Sequence, residues 1–169
     1  MTPPSATTAE AGGGSRWWTQ AGDALRAGLG AFAALALVGL LAAMTKQPLI
    51  LGSFGASCVL LFGYPAGPFS KTRNVIGGHL LASFIGLLFL QLFGPGWLPM
   101  AAAAACALMA MMLTRTVHPP AGGNPVIVFL AQPGWQFLLV PTLAGAGLLV
   151  LLAWLYHKAA RRTAPNRPA

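Results

Sequence analysis

The chain has 169 residues, 56% hydrophobic and 7% charged, and its mean hydropathy of +0.70 marks it as an integral membrane protein rather than a soluble globular domain. Ten Lys and Arg stand against two acids, and both acids, Glu10 and Asp23, precede the first long apolar run, so no carboxylate side chain occurs from Ala24 onward. That distribution excludes an acidic ring for cations, the usual Asp/Glu proton relay and a carboxylate pair for catalysis.

Residues 1–15, rich in Thr, Pro, Ala and Gly, read as a disordered tail. No basic stretch there leads directly into an apolar core, so no cleavable signal peptide is expected. The membrane domain is expected over residues 16–157. Ala27–Met44 is its first long apolar run. After Lys46 and Pro48 comes "LILGSFGASCVLLFG", which is uncharged, rich in small residues and short for a perpendicular crossing. A Pro/Gly loop, "YPAGPFSKTR", carries Lys71 and Arg73 into the second long run, Val75–Phe93. The uncharged turn "FGPGWLP" precedes the third, Leu98–Leu113. "TRTVHPPAGGNP" then interrupts the apolar pattern, "NPVIVFLAQPGW" is again short, and the last long run, Phe137–Tyr156, leads to a basic tail over residues 158–169. Four of these runs approach or exceed the roughly 20 apolar residues that cross a hydrocarbon core. Cys58 and Cys106 lie within apolar runs and read as small buried hydrophobes.

The expected fold is therefore an all-α integral membrane protein: a compact bundle of four long transmembrane helices and two short broken helices, with about six crossings. Six crossings put Arg16, Arg26, the Lys71/Arg73 loop and the C-terminal bases on one side, which the positive-inside rule makes cytoplasmic. Counting the short segments as re-entrant would move Lys71 and Arg73 to the other side. The halves, residues 24–93 and 97–157, follow one plan: long run, basic residue, proline, short segment, Pro/Gly turn, long run. A shift of 72 lays Lys46 on His118 and Pro48 on Pro120, and a shift of 68 lays Gly77–Ala82 on Gly145–Val150. Three elements per half would invert one half relative to the other and place a site mid-membrane between two broken helices. Lys46 would then lie near the outer side and Arg115 near the inner side.

The interruption itself holds the chemistry. Pro119, Pro120 and Pro125 remove backbone donors, and Gly122 and Gly123 free the chain for unusual conformations. Broken backbone at membrane depth has to line protein or a watery interior, and a helix restarting near Asn124 or Pro125 would aim its free N–H groups there, an arrangement that attracts anions. "TRTVHPPAGGNP" is similar to the signature of the HPP family of bacterial and plastid membrane proteins, named for the motif that stands here as His118-Pro119-Pro120. "GSFGASCVLLFG" and "KTRNVIGGHL" resemble two further stretches of that family, so the likeness runs over about Lys46 to Leu152. The resemblance implies a compact bundle of transmembrane helices and, for cyanobacterial and chloroplast members, nitrite transport. Residues 1–15 lack the Arg/Ser-rich character of a plastid transit peptide, so the expected setting is a bacterial inner membrane with both termini cytoplasmic.

Each candidate residue has a functional and a structural reading. Arg115 can hold a planar oxyanion with paired donors or snorkel to lipid phosphate; the functional reading predicts that Arg115→Ala abolishes transport. His118 can donate to an anion or carry a proton, or it can cap the carbonyls freed at the preceding helix end. Asn124 reads first as an N-cap and second as a ligand contact, while Asn74 reads as a cap. Lys71 and Arg73 read as topology determinants or anion-binding bases. His79, at helical spacing from Val75, should point into the bundle. Ser53, with Gly52, Gly55 and Ser57, forms a small face suited to close packing or to a polar lining. Lys46 can be a vestibule charge or a snorkelling lysine.

The leading functional reading is transport of a small monovalent anion, nitrite by resemblance, because unpaired bases around a broken-helix interior need anions. The alternative is a non-transporting membrane sensor or assembly protein with a soluble partner. No enzyme activity, cofactor, metal site or nucleic-acid partner is expected. The C-terminal bases read as an anchor to acidic lipid, and a second copy in a homodimer would help shield so small a bundle.

Overall fold

The computed structural model describes residues 13–46 and 49–163, and all its regular elements are helical. Helix α1 covers Gly13–Thr45, α2 Ser53–Cys58, α3 Thr72–Phe93, α4 Trp97–Leu113, α5 Asn124–Ala131 and α6 Ala144–Thr163. A π-turn, Val59–Gly63, continues α2. Short 3-10 and π turns over Trp135–Leu143 lead into α6. Of the expected tail, residues 13–15 belong to α1 and residues 1–12 lie outside the described part. The basic C-terminal segment stays helical to Thr163, and 164–169 again lie outside.

Three stretches are long and apolar enough to cross a membrane: Gln20–Thr45, Thr72–Phe93 and Trp135–Ala160. The expected third long run, α4, has 17 residues, which at about 1.5 Å per residue reaches roughly 25 Å. Its helix starts at Trp97, directly after the Gly96 that follows Pro95, and so cannot extend back. The last long run is not a single helix either, since Val140 at φ −135°, ψ 119° breaks it just before Pro141.

Hydrogen bonds sort the chain into two ends. At one, the Tyr156 hydroxyl donates to the Arg26 carbonyl (2.8 Å), His157 Nε2 meets the Leu61 carbonyl (2.8 Å), and Arg73 donates to the Thr114 carbonyl (3.0 Å). At the other, Trp135 Nε1 donates to Gln91 (2.8 Å). The chain therefore traverses the bundle six times, as α1, 49–63, α3, α4, 114–134 and α6. The second and fifth traverses are each half irregular and half helical. Their helices begin near the centre and run apart: α2 toward the end that holds His157, α5 toward the end that holds Gln91.

The breaks of the two halves share features at an offset between the two expected shifts of 72 and 68. Lys46 and Arg115 are both left-handed (φ 55° and 57°), an offset of 69, and each follows a threonine whose hydroxyl donates back one turn, Thr45 to Leu41 (2.6 Å) and Thr114 to Ala110 (2.8 Å). The glycine notches also correspond. A methyl at Gly78 of α3 would lie 3.0 Å from the Thr116 carbonyl oxygen, in the second half's irregular segment. One at Gly145 of α6 would collide with the Phe54 ring and sit 2.5 Å from the Leu49 carbonyl oxygen, in the first half's. Each half's third helix thus receives the other half's break.

The largest apolar core joins α1, α2 and α6, where Val38, Phe54, Ala146 and Leu149 are fully enclosed. A second, smaller cluster of Ala82, Ala107, Met111 and Ala121 binds α3 to α4 under the proline-rich turn. Between them runs a band of buried polar side chains.

Candidate functional site: a polar cluster between two helix breaks

Seven polar side chains from α2, α3, the motif loop, α5 and the turn before α6 converge at the centre. Ser53, Ser57, His79, Ser83, His118, Asn124 and Thr142 are each at most 8% exposed. The Ser53 hydroxyl donates to Asn124 Oδ1 across 2.8 Å and ties the first residues of α2 and α5 together. Asn124 Nδ2 donates to Ser83 Oγ (2.8 Å), to His79 Nδ1 (3.0 Å) and to the His79 carbonyl (3.3 Å). Ser83 also accepts from the Thr142 hydroxyl (3.1 Å). Ser57 Oγ stands between the histidines, 3.0 Å from His79 Nε2 and 2.9 Å from His118 Nε2. His118 Nδ1 reaches the Phe69 carbonyl at 2.9 Å.

Local sequence explains the placement. Ser53 and Ser57 are one helical turn apart and so share a face, as do His79 and Ser83 on α3. Gly78 leaves room for the loop, since an added methyl would lie 2.9 Å from His118 Cβ. Asn74, inside α3, holds the two loops in register through Nδ2, which donates to the Pro68 carbonyl (3.2 Å) and the Val117 carbonyl (2.9 Å). The His79 and His118 rings meet edge to face with centroids 5.1 Å apart, and Phe54 packs on His79 in the same way at 5.3 Å.

The site residues expected from sequence fall into two groups. His79, His118, Asn124 and Ser53 come together in the cluster. Lys71, Arg73 and Arg115 are exposed at the basic end, where Arg73 spans to Thr114. Arg115 lies on the rim, where the left-handed turn after α4 carries it, at the same end as Lys71 and Arg73. Lys46 is likewise exposed, at the opposite end of α1. Of the motif residues, Pro119–Gly123 form a 3-10 turn that feeds α5, and Pro125 is its second residue.

Three capping expectations are corrected. Asn124 makes no side-chain cap, since Gly123 precedes α5 in that position, and its amide serves the cluster instead. His118 does not cap α4; it bonds a carbonyl of the α2–α3 loop. Asn74 bridges loops rather than capping α3. The small face of α2 is split, with Ser53 and Ser57 buried and Gly52 and Gly55 exposed. Ser83 and Thr142 were missed as site residues, and Ser57 was named only as part of the small face. The four-residue spacings of Ser53 to Ser57 and His79 to Ser83 were the available signal; nothing in the sequence marks Thr142.

Among the described residues no buried side-chain nitrogen or oxygen lacks a partner, and no group of three or more His, Cys, Asp or Glu could hold a metal. The cluster is thus an acid-free set of hydroxyl, amide and imidazole groups. It offers donors that can turn toward an anion and no fixed charge.

The arrangement can be set beside known proteins. The family description "HPP, transmembrane region" matches residues 18–165. The chain belongs to the HPP family. It is 30% identical over 125 residues to a Dictyostelium discoideum protein described as a transmembrane protein, covering 69% of this chain and 44% of that one. A second Dictyostelium transmembrane protein is 31% identical over 121 residues, covering 67% of this chain and 39% of the relative. This HPP chain thus spans less than half the length of these curated relatives. No solved structure matches it.

Proposed function

We propose that this HPP protein carries a small monovalent anion across the membrane through its central polar cluster, with nitrite the anion that the resemblance to cyanobacterial and chloroplast family members suggests. The observation that carries the reading is the acid-free cluster at the meeting of two helix breaks, with Lys71, Arg73 and Arg115 exposed at one end of the bundle. Broken helices paired at mid-membrane in an inverted repeat are the arrangement around which alternating access works. The bases raise the local anion concentration, and hydroxyl, amide and imidazole donors replace hydration without a permanent buried charge. Because the cluster satisfies itself, an anion binds by taking over one of the internal hydrogen bonds, the Ser53–Asn124 bridge being the one that joins the two halves. By the positive-inside rule the basic end, with both termini, is cytoplasmic, in a bacterial inner membrane.

The test is nitrite uptake by liposomes containing the purified protein. Saturable uptake is expected. Ser53→Ala removes a buried bond worth about 1.4 kcal/mol and should lower uptake roughly tenfold. Folded protein that moves none of nitrite, nitrate, formate or bicarbonate overturns the reading.

A further inference from the structure

The two histidines of the cluster are held in different ways, and two backbone carbonyls fix how. A carbonyl only accepts, so the Phe69 carbonyl 2.9 Å from His118 Nδ1 requires a proton on that nitrogen and leaves Nε2 of neutral His118 as an acceptor. The His79 carbonyl 3.3 Å from the Asn124 side chain requires the amide nitrogen on that side. The same nitrogen lies 3.0 Å from His79 Nδ1, so that ring nitrogen accepts and His79 carries its proton on Nε2. One consistent chain follows: Asn124 donates to His79, His79 Nε2–H donates to Ser57 Oγ, Ser57 donates to His118 Nε2, and His118 Nδ1–H donates to Phe69.

Ser57 has a second acceptor for its single proton, the Ser53 carbonyl at 3.1 Å. If His118 gains a proton on Nε2, that N–H donates to Ser57 Oγ. The hydroxyl then turns to the Ser53 carbonyl, and its two lone pairs take one hydrogen from each histidine. No polar atom loses its partner. His79 has no such freedom, because a proton on its Nδ1 would face the Asn124 amide donor, which the His79 carbonyl and Ser83 hold in place. Around His118 the other titratable groups are His79 on α3, Cys58 beside Ser57 on α2, and Tyr64 on the loop, with Lys71, Arg73 and Arg115 exposed at the near end. Neither α4 nor α5 brings a charged group to it, Cys106 being α4's one titratable residue.

We propose that His118 is the proton-carrying group of the cluster and that Ser57 is the hydroxyl rotor that lets it change charge, so that one proton crosses with each monovalent anion. The inference rests on the transport reading for its anion. The proton adds to the Nε2 lone pair, the imidazolium pairs with the anion so that the loaded site is neutral, and both leave on the far side. The order of protonation can be read without transport.

The experiment has two arms. In the first, protein labelled with 15N-histidine in lipid nanodiscs is titrated by NMR, with His79→Gln and His157→Gln variants used for assignment. His118 should show the Nδ1–H tautomer and His79 the Nε2–H tautomer at neutral pH, and acidification should doubly protonate His118 while His79 stays neutral. Ser57→Ala should lower the pH at which His118 charges by about one unit or more, since its new N–H would lack an acceptor. The reverse order of protonation, or a His118 titration indifferent to Ser57, overturns the proposal. In the second arm, an inward proton gradient should drive nitrite accumulation in liposomes. His118→Gln should lose that accumulation, while His79→Gln should slow the flux and leave what remains gradient-dependent. Flux that ignores the gradient, or coupling that survives His118→Gln, overturns it as well. Absence of any anion flux overturns the transport reading alone, and the titration then decides the His118 assignment.

Discussion

Arg115 and His118 are three residues apart in one motif and occupy opposite environments. Arg115 sits exposed in a left-handed turn at the end of α4, whereas His118 is fully buried and bonded on both ring nitrogens. The difference separates two tasks: permanent charge stays at the rim where lipid headgroups and water solvate it, and groups that can be neutral go to the centre. A cluster of neutral donors and acceptors tolerates low dielectric only when every member is satisfied, and here each one is.

The sharpest way to break the centre is Asn124→Leu. It deprives Ser53, His79 and Ser83 of a partner at once, and each buried group left unsatisfied costs about 1–3 kcal/mol. The largest loss of stability of any single change proposed here is expected, measured as unfolding in mixed detergent micelles, together with loss of uptake. A variant as stable as the parent would show that water replaces the amide, and that the cluster is less closed than its geometry indicates.

The next largest effect is expected where the two environments are joined. At Gly78 an added Cβ would lie 2.9 Å from His118 Cβ and 3.0 Å from the Thr116 carbonyl, both held by the loop rather than at the tip of a flexible side chain. Gly78→Val should therefore push the motif loop off α3 and cost about 1–3 kcal/mol. Gly147, where a methyl would meet nothing within 4 Å, is the control: Gly147→Ala should leave stability and uptake close to the parent's. Equal losses at both positions would mean that helix flexibility, not the notch, is what glycine supplies.

The elements and the ends of the bundle were legible because hydropathy and punctuation report them directly. Runs of apolar residues gave the long helices, and Pro119, Pro120, Gly122 and Gly123 announced a break. His79 was readable as interior from its spacing to Val75. The roles of Asn124 and Arg115 were not. Asn beside Pro at a helix start normally signals a cap, and only the packing of α5 against α3, with Ser53 at its start, shows that its amide is used across the bundle. An arginine in an apolar context signals depth, but the turn that carries Arg115 outward is a backbone conformation that its own side chain does not encode. At the breaks themselves the prolines suggested a shift of 72, whereas the features that correspond there are the threonine and left-handed basic residue that close α1 and α4, 69 residues apart.

The smallest expected effect belongs to the rim. Lys71 and Arg115 are exposed, so they act on an approaching anion through a field that salt screens over about 10 Å at 0.1 M and about 3 Å at 1 M. Neutralising them with Lys71→Gln and Arg115→Gln should reduce nitrite uptake about two- to fivefold at low ionic strength, mainly through the rate at which the anion arrives, and the deficit should fade as salt rises. Arg115→Lys, which keeps the charge, should restore most of the rate. Arg73 is left in place because its bond to the Thr114 carbonyl positions the loop. A rim base that bound the anion directly would behave otherwise. Arg115→Lys would then lose the paired donors that a planar oxyanion needs, and the defect would persist at high salt. The salt dependence of this one pair of variants thus decides between an arginine that steers the anion and one that holds it, the question on which the left-handed turn and the buried histidine give their different answers.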